Sequence, residues 1–366
     1  MTFDGQAFSF QEFGGITRYF SKLLESFATL EGISPDLIIK YSNNAHLADL
    51  GTVHTRRFFP SYRFKGRNDI IKLLNREYFR QKFSAESGTQ LFHPTYYHPY
   101  FLERIGDIPF VLTIHDMAHE HYPKMFSSLD HTSQHKKFLA PRARRIIAVS
   151  EHTKKDIVAR LGIAETQIDV IPHATTLARP DRNYQGVPLP DEYILYVGKR
   201  NSYKNFPIVL NALQRIRSAR ADCTLVCAGG GKLTKQESEE IERLHLSRAV
   251  IQMSADDSLL AFFYSLAGAF VYPSLYEGFG IPVLEAFACG CPALLSNSSS
   301  LPEVGGQAAI YFDPGNADSL VSLLNDVLVN RDLAEDLRKK GLERVKLYSW
   351  EKTAQQTLES YRKAMQ

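Results

Sequence analysis

The sequence predicts an α/β protein of two domains, each built around a parallel sheet, on three observations. Short apolar runs alternate along the chain with segments of helical period, the rhythm of strand–helix–strand units with right-handed crossovers. A length of 366 residues favours two cores over one. Between residues 178 and 192, Pro180, Gly186, Pro188 and Pro190 stand among polar side chains, a linker composition. The boundary is placed there, giving an N-terminal domain of residues 1–183 and a C-terminal domain from residue 184.

Composition narrows the function classes. Basic residues number 43 against 40 acids, a net charge of +3, so the chain as a whole is not a nucleic-acid binder. No apolar run approaches the roughly 20 residues of a spanning helix and no signal peptide is recognisable, which predicts a cytoplasmic protein. Cys223, Cys227, Cys289 and Cys291 lack zinc-site spacing and are expected as buried thiols.

Met-Thr-Phe-Asp reads as a short first strand. Phe13-Gly14-Gly15-Ile16 then leads into a helix with Tyr19, Phe20, Leu23, Leu24 and Phe27 at helical spacing. Strand, Gly-Gly loop and helix together suit a phosphate, although a tight turn alone produces the same pair. Residues 56–83 are a basic block with interleaved aromatics, among them Arg56, Arg57, Phe59, Tyr62, Arg63 and Lys65. From Asp69 the pattern is helical, with Ile70, Ile71, Leu73, Leu74 and Tyr78 expected on the packed side and Lys72, Arg76 and Arg80 on the other. Three readings compete: a solvated helix face, a patch for anionic membrane, and, last because no motif accompanies it, nucleic acid.

Gln90 to His93 is a short strand. Phe110 to Asp116 is a buried one whose C-terminal end delivers His115 and Asp116 to the edge where open α/β sheets collect functional groups. His119, His121, His131 and His135 invite a metal, but the Glu between the paired histidines of a zinc-protease helix is missing, and no metal site is assigned. Strands at 145–150 and 168–172 flank a helix, Glu151 to Leu161. The second domain opens with strand Tyr193–Gly198, and Lys199, Arg200 and Lys204 follow it. Cations there suit a diphosphate leaving group. Strand 224–228, glycines 229–231, helix 235–245, strand 250–253 and helix 257–266 continue the alternation, and two or three polar helices finish the chain.

The central stretch is 271–292. An apolar run ends at Pro273-Ser274, a loop with Gly278 and Gly280 follows, and Pro282 suits a first helical turn. The N–H groups of Val283, Leu284 and Glu285, with the positive dipole end, are expected to face a phosphate. Glu277 and Glu285 bracket this loop. As one helix they would stand about 12 Å apart, against roughly 5 to 9.5 Å in a hydrolase pair. They are therefore read as two acceptors gripping opposite ends of a nucleotide-sugar.

Glu-Gly-Phe-Gly-Ile-Pro-Val-Leu-Glu resembles the E-x7-E signature of retaining glycosyltransferase family 4, and the likeness extends over nearly the whole chain. The resemblance implies the GT-B fold: two Rossmann-like domains facing across a cleft, with a last helix, 349–366, returning to the N-terminal domain at Trp350. It implies that Glu277 contacts the donor sugar and Glu285 the ribose. Gly278, Phe279, Gly280, Ile281, Val283 and Leu284 then line the donor, and the backbone of Met253 and Ser254 holds its base. The Gly14–Gly15 loop closes over its phosphates and His115 touches its sugar. Lys204 matches the family lysine by its place before Asn205. The family arginine falls on Lys199, with Arg200 beside it, and either is its replacement. Ser296 to Glu303 resembles the family's serine-rich loop. His173 stands where many relatives have Asn, and no role is assigned to it.

The implied activity is metal-independent transfer of a hexose, with GDP-mannose as the expected donor, to a saccharide or lipid-linked acceptor of a surface polysaccharide such as lipopolysaccharide. A lipid-linked acceptor favours peripheral contact of residues 56–83 with the inner face of the membrane. Two rivals differ in class: a GT-B sugar-nucleotide epimerase, and a non-catalytic nucleotide-sugar-binding protein. The presence of Glu277, His115 and Lys204 together argues against the second.

Overall fold

The computed structural model describes residues 1–48, 50, 53–62, 64–86, 88–180 and 187–366. They form two units, Met1–His173 with Ser349–Gln366, and Ala174–Tyr348. The expected join between residues 183 and 184 lies outside the described residues, as do Gly186 and Arg63.

The first unit runs β1 (Thr2–Asp4), α1 (Gly15–Ala28), β2 (Asp36–Ile38), α2 (Ala45–Ala48), α3 (Arg67–Lys82), β3 (Phe92–His93), α4 (Leu102–Ile105), β4 (Val111–Ile114), α5 (Ala118–His121), α6 (Thr132–Leu139), β5 (Arg145–Ala148), α7 (Glu151–Leu161) and β6 (Ile168–Val170). Its strands form two parallel sheets, β2-β1-β3 and β4-β5-β6, and Phe92 bridges in parallel to Phe110, just ahead of β4. β1 has β2 on one side and β3 on the other, so the winding reverses between β1 and β3. α1 buries Tyr19, Phe20, Leu23, Leu24 and Phe27, the stripe its spacing predicts.

α3 turns the other way from the expectation. Its buried residues are Arg67, Ile71, Asn75 and Phe79, while Ile70, Leu73 and Leu74 are exposed. Polar chemistry sets this rotation. Asn75 Oδ1 accepts the N–H groups of Lys40 at 3.1 Å and Tyr41 at 2.9 Å, and its Nδ2 donates to Ser9 Oγ and Tyr41 O. Arg67 pairs with Glu12. Satisfying these buried groups outweighs covering three aliphatic side chains.

The second unit runs β7 (Tyr193–Val197), α8 (Phe206–Ile216), β8 (Thr224–Ala228), α9 (Lys235–Arg243), β9 (Val250–Met253), α10 (Asp257–Leu266), β10 (Ala269–Tyr272), α11 (Ile281–Ala288), β11 (Ala293–Ser296), α12 (Leu301–Gly305), β12 (Ala309–Phe312), α13 (Ala317–Val329) and α14 (Arg331–Val345). One parallel sheet of order β12-β11-β10-β7-β8-β9 carries it. Winding reverses between β7 and β10, the switch point at which open sheets bind ligands beyond their strand ends. Side chains of β7, β8, α8 and α13 share one core. The four cysteines are free and buried.

The last helix, α15 (Trp350–Met365), belongs to the first unit. Ser349 caps it by accepting the Lys352 N–H. Trp350 is buried, Thr353 Oγ1 donates to Pro172 O at 2.8 Å, and Tyr361 Oη lies 2.6 Å from His93 Nδ1.

Replacing Asn75 with alanine strands the Lys40 and Tyr41 N–H groups and should lower unfolding free energy by about 2 kcal/mol or more in urea titration. Leu73→Ala, at a 62% exposed position, should stay within about 0.5 kcal/mol of the native protein.

Candidate active site

β7 and β10 end side by side at the switch point of the second unit, and each delivers one of the predicted loops. Beyond β7, Lys199 is exposed, while Arg200 turns inward. Arg200 donates from Nε to Glu237 Oε1 at 3.1 Å, from Nη1 to Gly229 O at 2.9 Å and from Nη2 to Gly231 O at 2.8 Å. The cation expected as a diphosphate partner is thus a brace for the glycine turn at 229–231. All three of those glycines have positive φ, and a Cβ at Gly230 would collide with Gly198 O.

Lys204 ends a short 3-10 turn, Ser202–Lys204. Its Nζ meets Glu277 Oε1 at 2.6 Å, with the two side chains 18% and 11% exposed. The Tyr203 and Tyr272 rings lie 5.1 and 5.9 Å from the ammonium. The backbone of Glu277 is also fixed: its N–H donates to Ser299 Oγ at 2.8 Å, and its carbonyl accepts from Ser300 Oγ at 2.9 Å. Ser300 Oγ lies equally close to Phe279 O. The sequence pattern marked the serine-rich stretch, but not that Ser299 and Ser300 hold the acidic loop.

Gly280, with φ of +106°, is the N-cap of α11, and a Cβ there would stand 2.9 Å from Leu301 Cδ2. Pro282 occupies the first turn as expected. The Val283 N–H is not free for a phosphate, since it donates to Gly280 O at 2.9 Å. Leu284 is buried, and Glu285, 5% exposed, accepts from Tyr264 Oη at 3.2 Å. That tyrosine sits in the apolar run of α10, where nothing in the pattern marked it. Met253 O accepts the Gly229 N–H at 3.2 Å, and Ser254 is exposed.

Gly14, Gly15 and His115 belong to the first unit. Gly14 is the N-cap of α1, and its carbonyl accepts from Thr17 Oγ1 and the Arg18 N–H, both at 3.0 Å. His115 leaves the end of β4 and is 8% exposed. Its ring stacks on His173 at 5.6 Å and 24° and meets the edge of Tyr19 at 5.2 Å. Neither ring nitrogen of His115 has a hydrogen-bond partner among the described residues. Burial, then the charges of His93 and Lys136, lowers its pKa to about 3, so the imidazole is neutral. Burial lowers His93 to about 3 and His173 well below the usual value. Asp116 is structural: its Oδ1 accepts the Ala118 N–H, and its carbonyl accepts from buried Lys136, which also pairs with Glu120 Oε2 at 2.8 Å. Among the described residues no three His, Cys, Asp or Glu side chains converge as a metal cluster.

Two outcomes follow. Arg200→Ala removes the donor to Glu237 Oε1 and to the Gly229 and Gly231 carbonyls and should destabilise the protein by about 3 kcal/mol in denaturant, whereas Lys199→Ala should change it by less than about 0.5 kcal/mol. For the histidines, folded pKa values below the unfolded value mean that the unfolded chain binds more protons. Stability therefore falls as pH drops below about 6.5 towards 3, by up to about 1.4 kcal/mol per unit for each buried histidine. Urea midpoints should fall from pH 7.5 to 6 to 5; a flat series would contradict the neutral, buried rings.

Comparisons with known proteins bear on the fold and the family. A profile described as Glycosyltransferase Family 4 matches residues 13–179, and one described as Glycosyl transferases group 1 matches residues 179–344. The O-antigen chain mannosyltransferase B of Escherichia coli is 30% identical over 292 residues, 74% of this chain and 73% of that protein. The serotype-specific mannosyltransferase WbdA of Escherichia coli is 29% identical over 241 residues, 62% of this chain but only 29% of that protein's length. Sucrose-phosphate synthase from Thermosynechococcus elongatus shares the fold at a TM-score of 0.79 and 22% identity, over 99% of this chain and 98% of that one. Two Rossmann-like units with parallel sheets, matched end to end by such neighbours, are the GT-B fold. The chain belongs to the GT-B glycosyltransferase family of these mannosyltransferases, and the protein is a glycosyltransferase.

Proposed function

We propose that the protein moves a hexose, mannose or a close relative carried on GDP, to a hydroxyl of a saccharide or lipid-linked saccharide, with retention of configuration, in the assembly of a polysaccharide such as lipopolysaccharide. The observation that carries this is the Lys204–Glu277 pair, 2.6 Å apart at the switch point of the second unit. In the free protein each charge answers the other. A donor offers both a better partner: the diphosphate takes the ammonium, and hydroxyls of the sugar donate to the carboxylate. Glu285, the fifth residue of α11, is assigned to the ribose. The Escherichia coli relatives are mannosyltransferases, which supports mannose and gives the epimerase and non-catalytic readings no support.

In this mechanism the bond from C1 of the sugar to the diphosphate oxygen breaks as the acceptor oxygen bonds to C1 on the same face. The acceptor's proton passes to the departing phosphate oxygen, so no protein nucleophile is required. Lys204 and exposed Lys199 stabilise the charge that develops there, and the positive end of α11 adds to it. These groups, rather than a metal ion, are assigned the diphosphate, and Arg200 has no part. The neutral ring of His115 is assigned a hydrogen bond to a sugar hydroxyl.

The 56–83 block supports a membrane-facing role. Phe59, Tyr62 and Leu73 are 58%, 67% and 62% exposed, with Arg56, Arg57 and Lys65 exposed among them. Apolar rings beside cations suit the anionic inner face of a membrane, where a lipid-linked acceptor would be met. Among the described residues no helix is long and apolar enough to cross a membrane.

Among GDP-, UDP- and ADP-sugars, GDP-mannose should raise the melting temperature most, because a ligand stabilises in proportion to the logarithm of its occupancy. Glu277→Ala and Lys204→Ala should each lower kcat about 100-fold or more. Turnover should survive EDTA, and NMR of the product should show the donor's anomeric configuration. Undiminished turnover in Glu277→Ala would overturn the proposal.

A further inference from the structure

The two acids of the second unit are held in different ways. Glu277 answers Lys204, and a diphosphate can exchange its own charge for that of the carboxylate. Glu285 accepts instead from a neutral donor on another helix, Tyr264 Oη of α10, at 3.2 Å. A bound anion does not compete for that bond. Glu285 is the only ionisable side chain of α11, whose other residues are Ile, Pro, Val, Leu, Ala and Phe, and it is 5% exposed. An ionised carboxylate in such surroundings needs donors, and Tyr264 supplies one.

The tyrosine is itself rigidly placed. It is fully buried, and its ring meets that of Phe270 in β10 edge-on, at 5.3 Å and 75°. Its helix is tied to β7, because the Phe263 carbonyl accepts from Tyr193 Oη at 2.6 Å. Burial, then the charge of Glu285, raises the Tyr264 pKa well above its ordinary value, so the phenol keeps its proton and remains a donor. A glutamate side chain is long and its terminal torsion is loose, so α11 alone does not decide where the carboxylate points. A fixed donor on a second element does. An ionised carboxylate accepts through about four lone-pair sites, and one bond to Tyr264 leaves capacity for hydroxyl donors. The adjacent 2′ and 3′ hydroxyls of a ribose are such donors.

We propose that Tyr264 is a positioning residue: by holding Oε2 of Glu285 it aims the carboxylate at the donor's ribose, and it thereby makes the site select a ribonucleotide-sugar over a deoxyribonucleotide-sugar. This deepens, and rests on, the assignment of Glu285 to the ribose made above. Tyr264 touches no substrate and acts through the acid. With the carboxylate aimed, a ribose donates to a charged acceptor, while a deoxyribose leaves that acceptor buried and unanswered. Without the phenol, the carboxylate turns away or takes up a proton, and both sugars meet the same poor acceptor.

Calorimetry tests this by comparing GDP with 2′,3′-dideoxy-GDP, and UDP with 2′,3′-dideoxy-UDP, so the comparison holds for either base. In the native protein the ribonucleotide of the better-bound base should bind about 30-fold more tightly than its dideoxy form. Tyr264→Phe keeps the ring against Phe270 and should bring that ratio to within about threefold, by weakening the ribonucleotide and leaving the dideoxy nucleotide unchanged. Glu285→Gln should narrow the ratio likewise, and the double variant should lose nothing further. In the otherwise native chain, the fluorine resonance of 3-fluorotyrosine installed at position 264 should shift with the ribonucleotide and not with the dideoxy form; a shift with neither overturns the proposal. A ratio retained in Tyr264→Phe overturns it too, while the assignment of Glu285 stands. So does an equal loss for both nucleotides, which marks a tyrosine that only supports the fold. If the native protein binds both forms alike, or Glu285→Gln keeps the ratio, the assignment of Glu285 to the ribose falls and the role of Tyr264 falls with it.

Discussion

A lysine and a glutamate at the ends of two neighbouring strands hold each other at 2.6 Å, and the second unit is arranged so that they can. Both side chains are largely withdrawn from water, so removal of either leaves a charge without its counterpart in a poorly hydrated place. The winding of the sheet brings the two loops together, since β7 and β10 are neighbours although the chain between them passes through β8 and β9. Ser299 and Ser300 then fix the backbone of the acidic loop, so the carboxylate is positioned before any ligand arrives.

Cations adjacent in the chain have separate duties. Lys199 and Arg200 leave the same strand in opposite directions, one to solvent and one into a cage of carbonyls and Glu237. The planar fork of arginine suits that cage, which a lysine could not fill. The first unit shows a parallel division among its histidines. His93 has both ring nitrogens answered, by Tyr361 and Thr113, and ties α15 to the sheet. His115 is also buried, with neither ring nitrogen answered among the described residues. A buried polar group without partners is unfavourable for stability, and that contrast with His93 is what the proposed hydrogen bond from His115 to a sugar hydroxyl rests on.

The β2-β1-β3 sheet of the first unit and the single sheet of the second share one logic. Each reverses its winding once, and each gathers chemistry at the reversal: Lys204 and Glu277 in the second unit, Arg76, His98 and His135 in the first. The basic and aromatic block of the first unit divides accordingly. One face of α3 satisfies buried polar groups through Asn75 and Arg67, another lines a pocket of the first unit through Lys72 and Arg76, and Leu73 is left to solvent.

What the sequence determined by itself was whatever local pattern decides. Strand and helix alternation, the stripe of α1, the Pro282 start of α11 and the spacing of Glu277 and Glu285 are short-range properties, set by backbone sterics and by apolar periodicity. Tertiary structure decided the direction of each polar side chain, because that depends on partners distant in the chain. Asn75 turned α3 around by bonding to residues 40 and 41, Arg200 went to glycines about thirty positions away, and Tyr264 reached Glu285 from another helix. Periodicity reports which face of an element is apolar. Only the folded chain shows which buried donors and acceptors had to be answered, and those answers overrode the pattern wherever the two disagreed.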